Sequence, residues 1–263
     1  MVQKEEIVPR DADRLLFQIA PALAAFIALA VAAVIPFSPG LLASDLDVGV
    51  LFALAVAGLT SFPVWIGSWA SNNKYALLGG MRMVAQAISY EIPMVLAALV
   101  PVLLAGSLSL GEIVEYQAEH GWFAFWPPGP GLLAFGLFLL TSLAEGNRIP
   151  FDIPEAESEL VAGPTTEYGG IRFGLFAVGE YVHSVLSSAL AAALFLGGWD
   201  GPFGPPVFWM ILKTAILFVG ITWLRWTLLR LRSDQLMALC WVYLVPGGLG
   251  LFVVTGLYVA WGG

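Results

Sequence analysis

The 263-residue chain is 59% hydrophobic, and Asp, Glu, Lys and Arg make up only 11% of it, where a soluble domain carries about 25% charged residues. A mean hydropathy of +0.85 with a formal net charge of −8 excludes an ordinary soluble domain, and with no basic patch or basic helix in the chain there is no nucleic-acid partner. Cys240 is the only cysteine, which excludes intrachain disulfides and cysteine-cluster metal sites, and His120 and His183 lie too far apart in sequence to suggest a metal site of their own.

The first six residues are polar and do not open a signal peptide, which needs an apolar core of its own. A membrane helix needs about 20 mostly apolar residues. Seven stretches approach or meet that length: 15–35, 48–69, 88–104, 132–145, 173–196, 207–226 and 237–261. The fourth is short and follows Pro- and Gly-rich sequence. Ser, Gly and Ala recur within these stretches, as close helix packing in lipid requires. Pro63 and Pro246 are tolerable there if neighbours satisfy the carbonyls they free. Between the third and fourth stretches, Leu110–His120 predicts a short amphipathic helix with Ser109 as its cap and Glu112 in its first turn. Trp122 and Trp126 beyond it suit a membrane interface. The expected fold is an all-α, polytopic transmembrane helix bundle of about seven spans, forming a single domain over residues 1–263.

Orientation follows from the basic residues. Lys4, Arg10 and Arg14 precede the first span. Lys74 and Arg82 follow the second, Arg148 and Arg172 the fourth, and Arg225, Arg230 and Arg232 the sixth. The alternate loops at 36–47, 105–131 and 197–206 contain neither Lys nor Arg. Cytoplasmic loops are enriched in these residues, so the expected N-terminus is cytoplasmic and the C-terminus external. The exception is Lys213, inside the sixth span, which is expected to snorkel to the outer interface.

Charge within a membrane is costly and marks functional candidates. Glu91 lies at the inner part of the third span, Glu145 at the end of the fourth, and Glu180 about two turns into the fifth. Glu180 and His183 share a helix face at i, i+3. Each carboxylate has a plainer reading: Glu91 and Glu145 as interfacial residues facing water, Glu180 as a side chain satisfied within the bundle. The densest segment runs from Glu145 to Gly163 and holds Arg148, Asp152, Glu155, Glu157 and Glu159. Pro150 and Pro154 break any helix there. Glu155 and Glu159 are one turn apart and would share a face of a short helix begun at Pro154. By composition alone this is a solvated acidic loop.

That segment, Arg148-Ile149-Pro150-Phe151-Asp152-Ile153-Pro154-Glu155-Ala156-Glu157-Ser158-Glu159-Leu160-Val161-Ala162-Gly163, resembles the signature of the H-subunit family of respiratory complex I, also called subunit 1. Gly67-Ser68-Trp69-Ala70-Ser71-Asn72-Asn73-Lys74-Tyr75, Arg82-Met83-Val84-Ala85-Gln86-Ala87-Ile88-Ser89-Tyr90-Glu91, Thr166-Glu167-Tyr168, Gly179-Glu180-Tyr181 and Arg232-Ser233-Asp234-Gln235-Leu236 extend the likeness along essentially the whole chain. The resemblance implies a membrane-arm subunit of a proton-translocating NADH:quinone oxidoreductase, an enzyme subunit with no catalytic residue or redox centre of its own. It implies that Glu91, Glu145, Glu155, Glu159, Glu167 and Glu180 form a path coupling quinone reduction to proton translocation. Arg148, Phe151, Asp152 and Glu157 would lie beside the quinone cavity, in a cytoplasmic acidic loop spanning 146–172. The substrate would be ubiquinone or menaquinone, reduced from iron–sulfur clusters in partner subunits. The partners would be peripheral quinone-module and antiporter-like subunits and the lipid bilayer, and the location the bacterial inner membrane.

Three features depart from the family pattern. The family has eight spans and starts outside, so this sequence is expected to lack the first helix and the Gly-Pro-Asn-containing segment after it. Gly58 stands where some members carry another buried glutamate. Gly163-Pro164-Thr165-Thr166 replaces a run that usually contains an aromatic residue. The alternatives are the equivalent subunit of a membrane-bound hydrogenase or formate-hydrogen lyase, which uses no quinone, and a stand-alone transporter. Transporters often carry internal repeats, and none is evident.

Overall fold

A computed structural model describes residues 7–41, 44, 46–125, 130–147, 149–154 and 161–261. Among them the secondary structure is helical, apart from an isolated bridge between Ser38 and Leu41. Helix α1 (Arg14–Val31) is capped by Asp13, whose Oδ1 accepts from the amides of Leu15 and Leu16 at 3.1 and 3.3 Å. A cap of this kind satisfies amides that have no partner within the helix.

The second span is two helices, α2 (Gly49–Gly58) and α3 (Ser61–Ala70). Pro63 explains the break. A proline has no N–H to give the carbonyl four residues back, and its ring crowds that carbonyl. The freed carbonyl of Leu59 instead accepts from Phe62 N at 3.1 Å, and Thr60 Oγ donates to Ala57 O at 2.7 Å.

Helix α4 (Lys74–Ala105) runs for 32 residues, far longer than the expected stretch at 88–104. At about 1.5 Å per residue it outreaches the ~30 Å hydrocarbon core. Part of it must therefore extend beyond that core, and its first turns, which mix polar and apolar residues, were not revealed by hydropathy alone. Asn73 caps it through Tyr75 N at 2.9 Å, and Gly106, with φ of 69°, ends it. Helix α5 (Leu110–His120) follows the expected bounds and cap, with Glu112 N on Ser109 Oγ at 3.5 Å. Trp126 lies outside the described residues.

Helices α6 (Pro130–Glu145), α7 (Gly170–Phe195) and α8 (Pro206–Thr227) follow. The last span joins α9 (Ser233–Ala238), six π-helical residues at Leu239–Leu244 and α10 (Val245–Ala260). The wider π turn lies just where Pro246 would otherwise crowd the preceding turn. Among the described residues six helical stretches are long and apolar enough to cross a membrane, and α6, at 16 residues, is a shorter apolar helix. Cys240 is buried as packing.

The main core lies toward one end of the bundle, where Phe138 of α6, Leu190 and Phe195 of α7, Ala97 of α4 and Ile113 of α5 are fully buried. A run of alanines at 189, 191, 192 and 193 lets the α7 backbone approach its neighbours closely. Lys213 does not snorkel outward as expected. It is buried, and its Nζ donates to Leu196 O, Gly198 O and Asp200 O at 2.6, 3.0 and 2.6 Å. The ammonium also lies 4.4 Å from the Trp122 ring centroid. The carbonyls at the α7 terminus match its three donors, so turning inward costs less than reaching water.

Candidate functional site

Helix α6 ends at Glu145 because Gly146 and Asn147, the latter with φ of 48°, turn the chain away. Its side chain faces α7. Glu145 Oε2 lies 3.2 Å from His183 Nε2, and the two residues are 3% and 4% exposed. Among the described residues neither carboxylate oxygen has a well-aligned hydrogen-bond donor, and neither ring nitrogen has an aligned partner. The pair is therefore a close, buried contact rather than part of a saturated network. Glu180, one turn before His183 and half-buried, lines the same cavity of about 80 Å³. A water needs only ~10–15 Å³ by this measure, so several waters fit, whereas pockets for drug-sized ligands run to about 300–1,000 Å³. Ala24 of α1, Thr60, Met83 of α4, Asn147 and Thr165 complete the walls.

On α4, Tyr90 and Glu91 lie within electrostatic reach of Glu145. Glu91 is half-buried, with its carboxylate against Gly58. From Glu145 a seam of hydroxyls follows α6 and α7. Ser142 Oγ and Ser187 Oγ are 3.1 Å apart, Ser187 Oγ donates to Ser184 O at 3.3 Å, and Ser184 Oγ donates to Glu180 O at 2.9 Å. The seam escaped the sequence reading. Its signal was there, in small polar residues at helical spacing from the two glutamates.

Gln86 organises the loop after α6. Its Nε2 donates to Ala144 O at 2.7 Å and Phe151 O at 3.0 Å, and reaches Asn147 Oδ1 at 3.3 Å. Phe151 and Ile153 are buried beside Tyr90, Leu143 and Leu236. Phe151 therefore packs between helices and does not line the small cavity, and Asp152 is half-buried next to it. Further on, the turn Gly163–Thr165 sets Pro164 against Gly79 of α4, where a side chain at 79 would collide with it.

Glu167 stands apart from these carboxylates. It accepts from Asn73 Nδ2 at 2.6 Å and lines a polar cleft with Arg10, Asp11 and Lys74. Beside it Tyr168 stacks on Phe17 at 4.1 Å between ring centroids. Burial raises the Tyr168 phenol above its ordinary pKa, and the nearby Ser71 hydroxyl and Arg172 charge work the other way. The structure thus gathers Glu91, Glu145 and Glu180, and leaves Glu167 at a separate place. Arg148, Glu155, Glu157 and Glu159 lie outside the described residues.

The family described as NADH dehydrogenase matches residues 1–256. The second NADH-quinone oxidoreductase H subunit of Syntrophobacter fumaroxidans is 47% identical over 272 residues, covering all of this chain and 81% of that protein. The first H subunit of the Geobacter metallireducens enzyme is 49% identical, over 97% of this chain and 79% of its own length. That of Geobacillus kaustophilus is 48% identical, with 99% and 78% covered.

Proposed function

The chain belongs to the H-subunit family of NADH-quinone oxidoreductase, and from that premise we propose that it couples quinone reduction to proton translocation through its buried carboxylates. It is an integral membrane subunit of a complex I-type enzyme and works with the other subunits of that complex. The quinone, ubiquinone or menaquinone, is reduced from iron–sulfur clusters in peripheral subunits, beside the acidic loop at 146–172. Arg148, Phe151, Asp152 and Glu157 form that side of the quinone cavity. Glu155, Glu159 and Glu167 belong with Glu145, Glu180 and Glu91 to one coupling path, which continues into antiporter-like subunits of the membrane arm.

The observation that carries this reading is the Glu145–His183 pair. A carboxylate and an imidazole 3.2 Å apart and shielded from solvent can hold one proton between them and pass it on. Both residues border a cavity with room for water, and Glu180 borders it too. In a low-dielectric interior, charges act on one another more strongly than in water. A change of charge in the quinone cavity therefore acts on the whole group. Gln86 supports this coupling mechanically, because one amide ties the end of α6 to the loop that carries Phe151.

The test is Glu145→Gln in the assembled complex, reading quinone reduction and proton uptake by membrane vesicles. The expected result is normal assembly with coupled turnover reduced about a hundredfold, the low end of what a positioned acid–base group contributes. Turnover and pumping at the unaltered level would overturn the assignment. The orientation follows from the basic loops, in the bacterial inner membrane, with a cytoplasmic N-terminus. Reporter fusions at Asn73 and Gly121 should read inside and outside, and Asn73 reading outside would reject it.

A further inference from the structure

Gly58 is the last residue of α2, just before the break in the second span. Its backbone is not in the left-handed region that would demand glycine. Space demands it instead. A Cβ at position 58 would overlap Oε1 of Glu91 and stand 3.0 Å from its Cδ and 3.5 Å from Oε2. The head of Glu91 occupies the place that any side chain at 58 would take. The break that Gly58 precedes also borders the Glu145 cavity, through Thr60. Thr60 and Ser61 turn their hydroxyls back on the carbonyls of Ala57 and Gly58, at 2.7 and 3.4 Å. One short, irregular segment thus seats one carboxylate and walls the cavity of the next.

We infer that Gly58 is a positioning residue: its missing side chain fixes where the Glu91 carboxylate stands, and with it the separation of Glu91 from Glu145. The inference rests on the reading of Glu91 as a member of the proton path. The overlapping atoms are the far end of a flexible side chain, so an alanine at 58 leaves the helices in place. It turns the carboxylate out of its seat. The cost falls on transfer and not on folding.

A double-mutant cycle tests this in the assembled complex, read as proton uptake per quinone reduced and as coupled turnover. Gly58→Ala should assemble normally and lose roughly tenfold in coupled turnover, within the range that an ångström of misplacement costs. Glu91→Asp withdraws the carboxylate by one methylene and so empties the seat. In that background Gly58→Ala should cost nothing further, because a neighbour-mediated effect is non-additive. Gly58→Ala with unaltered turnover, or independent losses that multiply in the double variant, would overturn the inference. Should Gly58→Ala fail to assemble, Glu91→Ala, which removes the colliding head, must restore assembly, and failure to restore it is equally fatal. Glu91→Gln at full coupled turnover would instead sink the proton-path reading itself. An impaired Glu91→Gln beside a silent Gly58→Ala would sink only the role of Gly58.

Discussion

Lys213 and Glu145 are both ionisable residues buried inside the bundle, toward its opposite ends, and the structure treats them in opposite ways. Lys213 has three donors and gives each to a backbone carbonyl, at 2.6, 3.0 and 2.6 Å, under the face of Trp122. Nothing about that arrangement is left to change, because moving the ammonium breaks three bonds at once. Glu145 has one close partner, His183 at 3.2 Å, without aligned hydrogen bonds to either oxygen among the described residues. It opens instead on a cavity shared with Glu180. Burial alone therefore does not mark function in a membrane protein. A saturated charge is a fastening. An unsaturated one beside water-sized space and a second titratable group has room to rearrange.

The comparison is broken most severely at Lys213. Lys213→Met should leave one buried and two half-buried carbonyls without this donor, at up to about 1–3 kcal/mol each, and so cut the yield and thermal stability of the complex. Turnover per assembled complex should stay unchanged. A well-assembled Lys213→Met variant that has lost turnover would show that the saturated charge is functional after all. Glu145→Gln is expected to do the reverse, keeping assembly and losing about a hundredfold in coupled turnover. Thermal melting of the two variants side by side sharpens the contrast, since only the lysine variant should melt early. The smallest effect belongs to Ser187→Ala. It removes a hydroxyl with two contacts, to Ser142 Oγ at 3.1 Å and Ser184 O at 3.3 Å, each worth about 0.5–1.5 kcal/mol. Coupled turnover should fall by a few-fold at most, and a loss as large as that of Glu145→Gln would make the serine seam an obligatory part of the path.

The spans were legible in the sequence because each must present enough apolar length to lipid, and hydropathy counts that length directly. The Ser109 cap was legible for a similar reason, since a helix start needs a local acceptor within three residues. The N-terminal half of α4 was not. Residues 74–87 mix polar and apolar side chains, and only their packing against the Gly163–Thr165 turn and the loop held by Gln86 keeps them in one helix with 88–105. Within the site, the shared face of Glu180 and His183 could be read from their spacing on one helix. The proximity of Glu145 to His183 could not, because it depends on how α6 is rotated and slid against α7.

By itself, then, the sequence determined the helical bundle, its apolar stretches, the carboxylates available to it and, through the acidic segment from Arg148 to Gly163, its likeness to the H-subunit family. Tertiary structure alone decided that Glu145 meets His183, that Glu91 rests on Gly58, that Glu167 pairs with Asn73 away from both, and that Lys213 is spent on carbonyls. The physical reason is the same in every case. Apolar length and capping are properties of a single segment, and the chain carries them wherever it lies. A charge buried between helices takes its partner from another helix, and helix rotation and crossing are fixed by side-chain packing, which is not written in the spacing of any one segment.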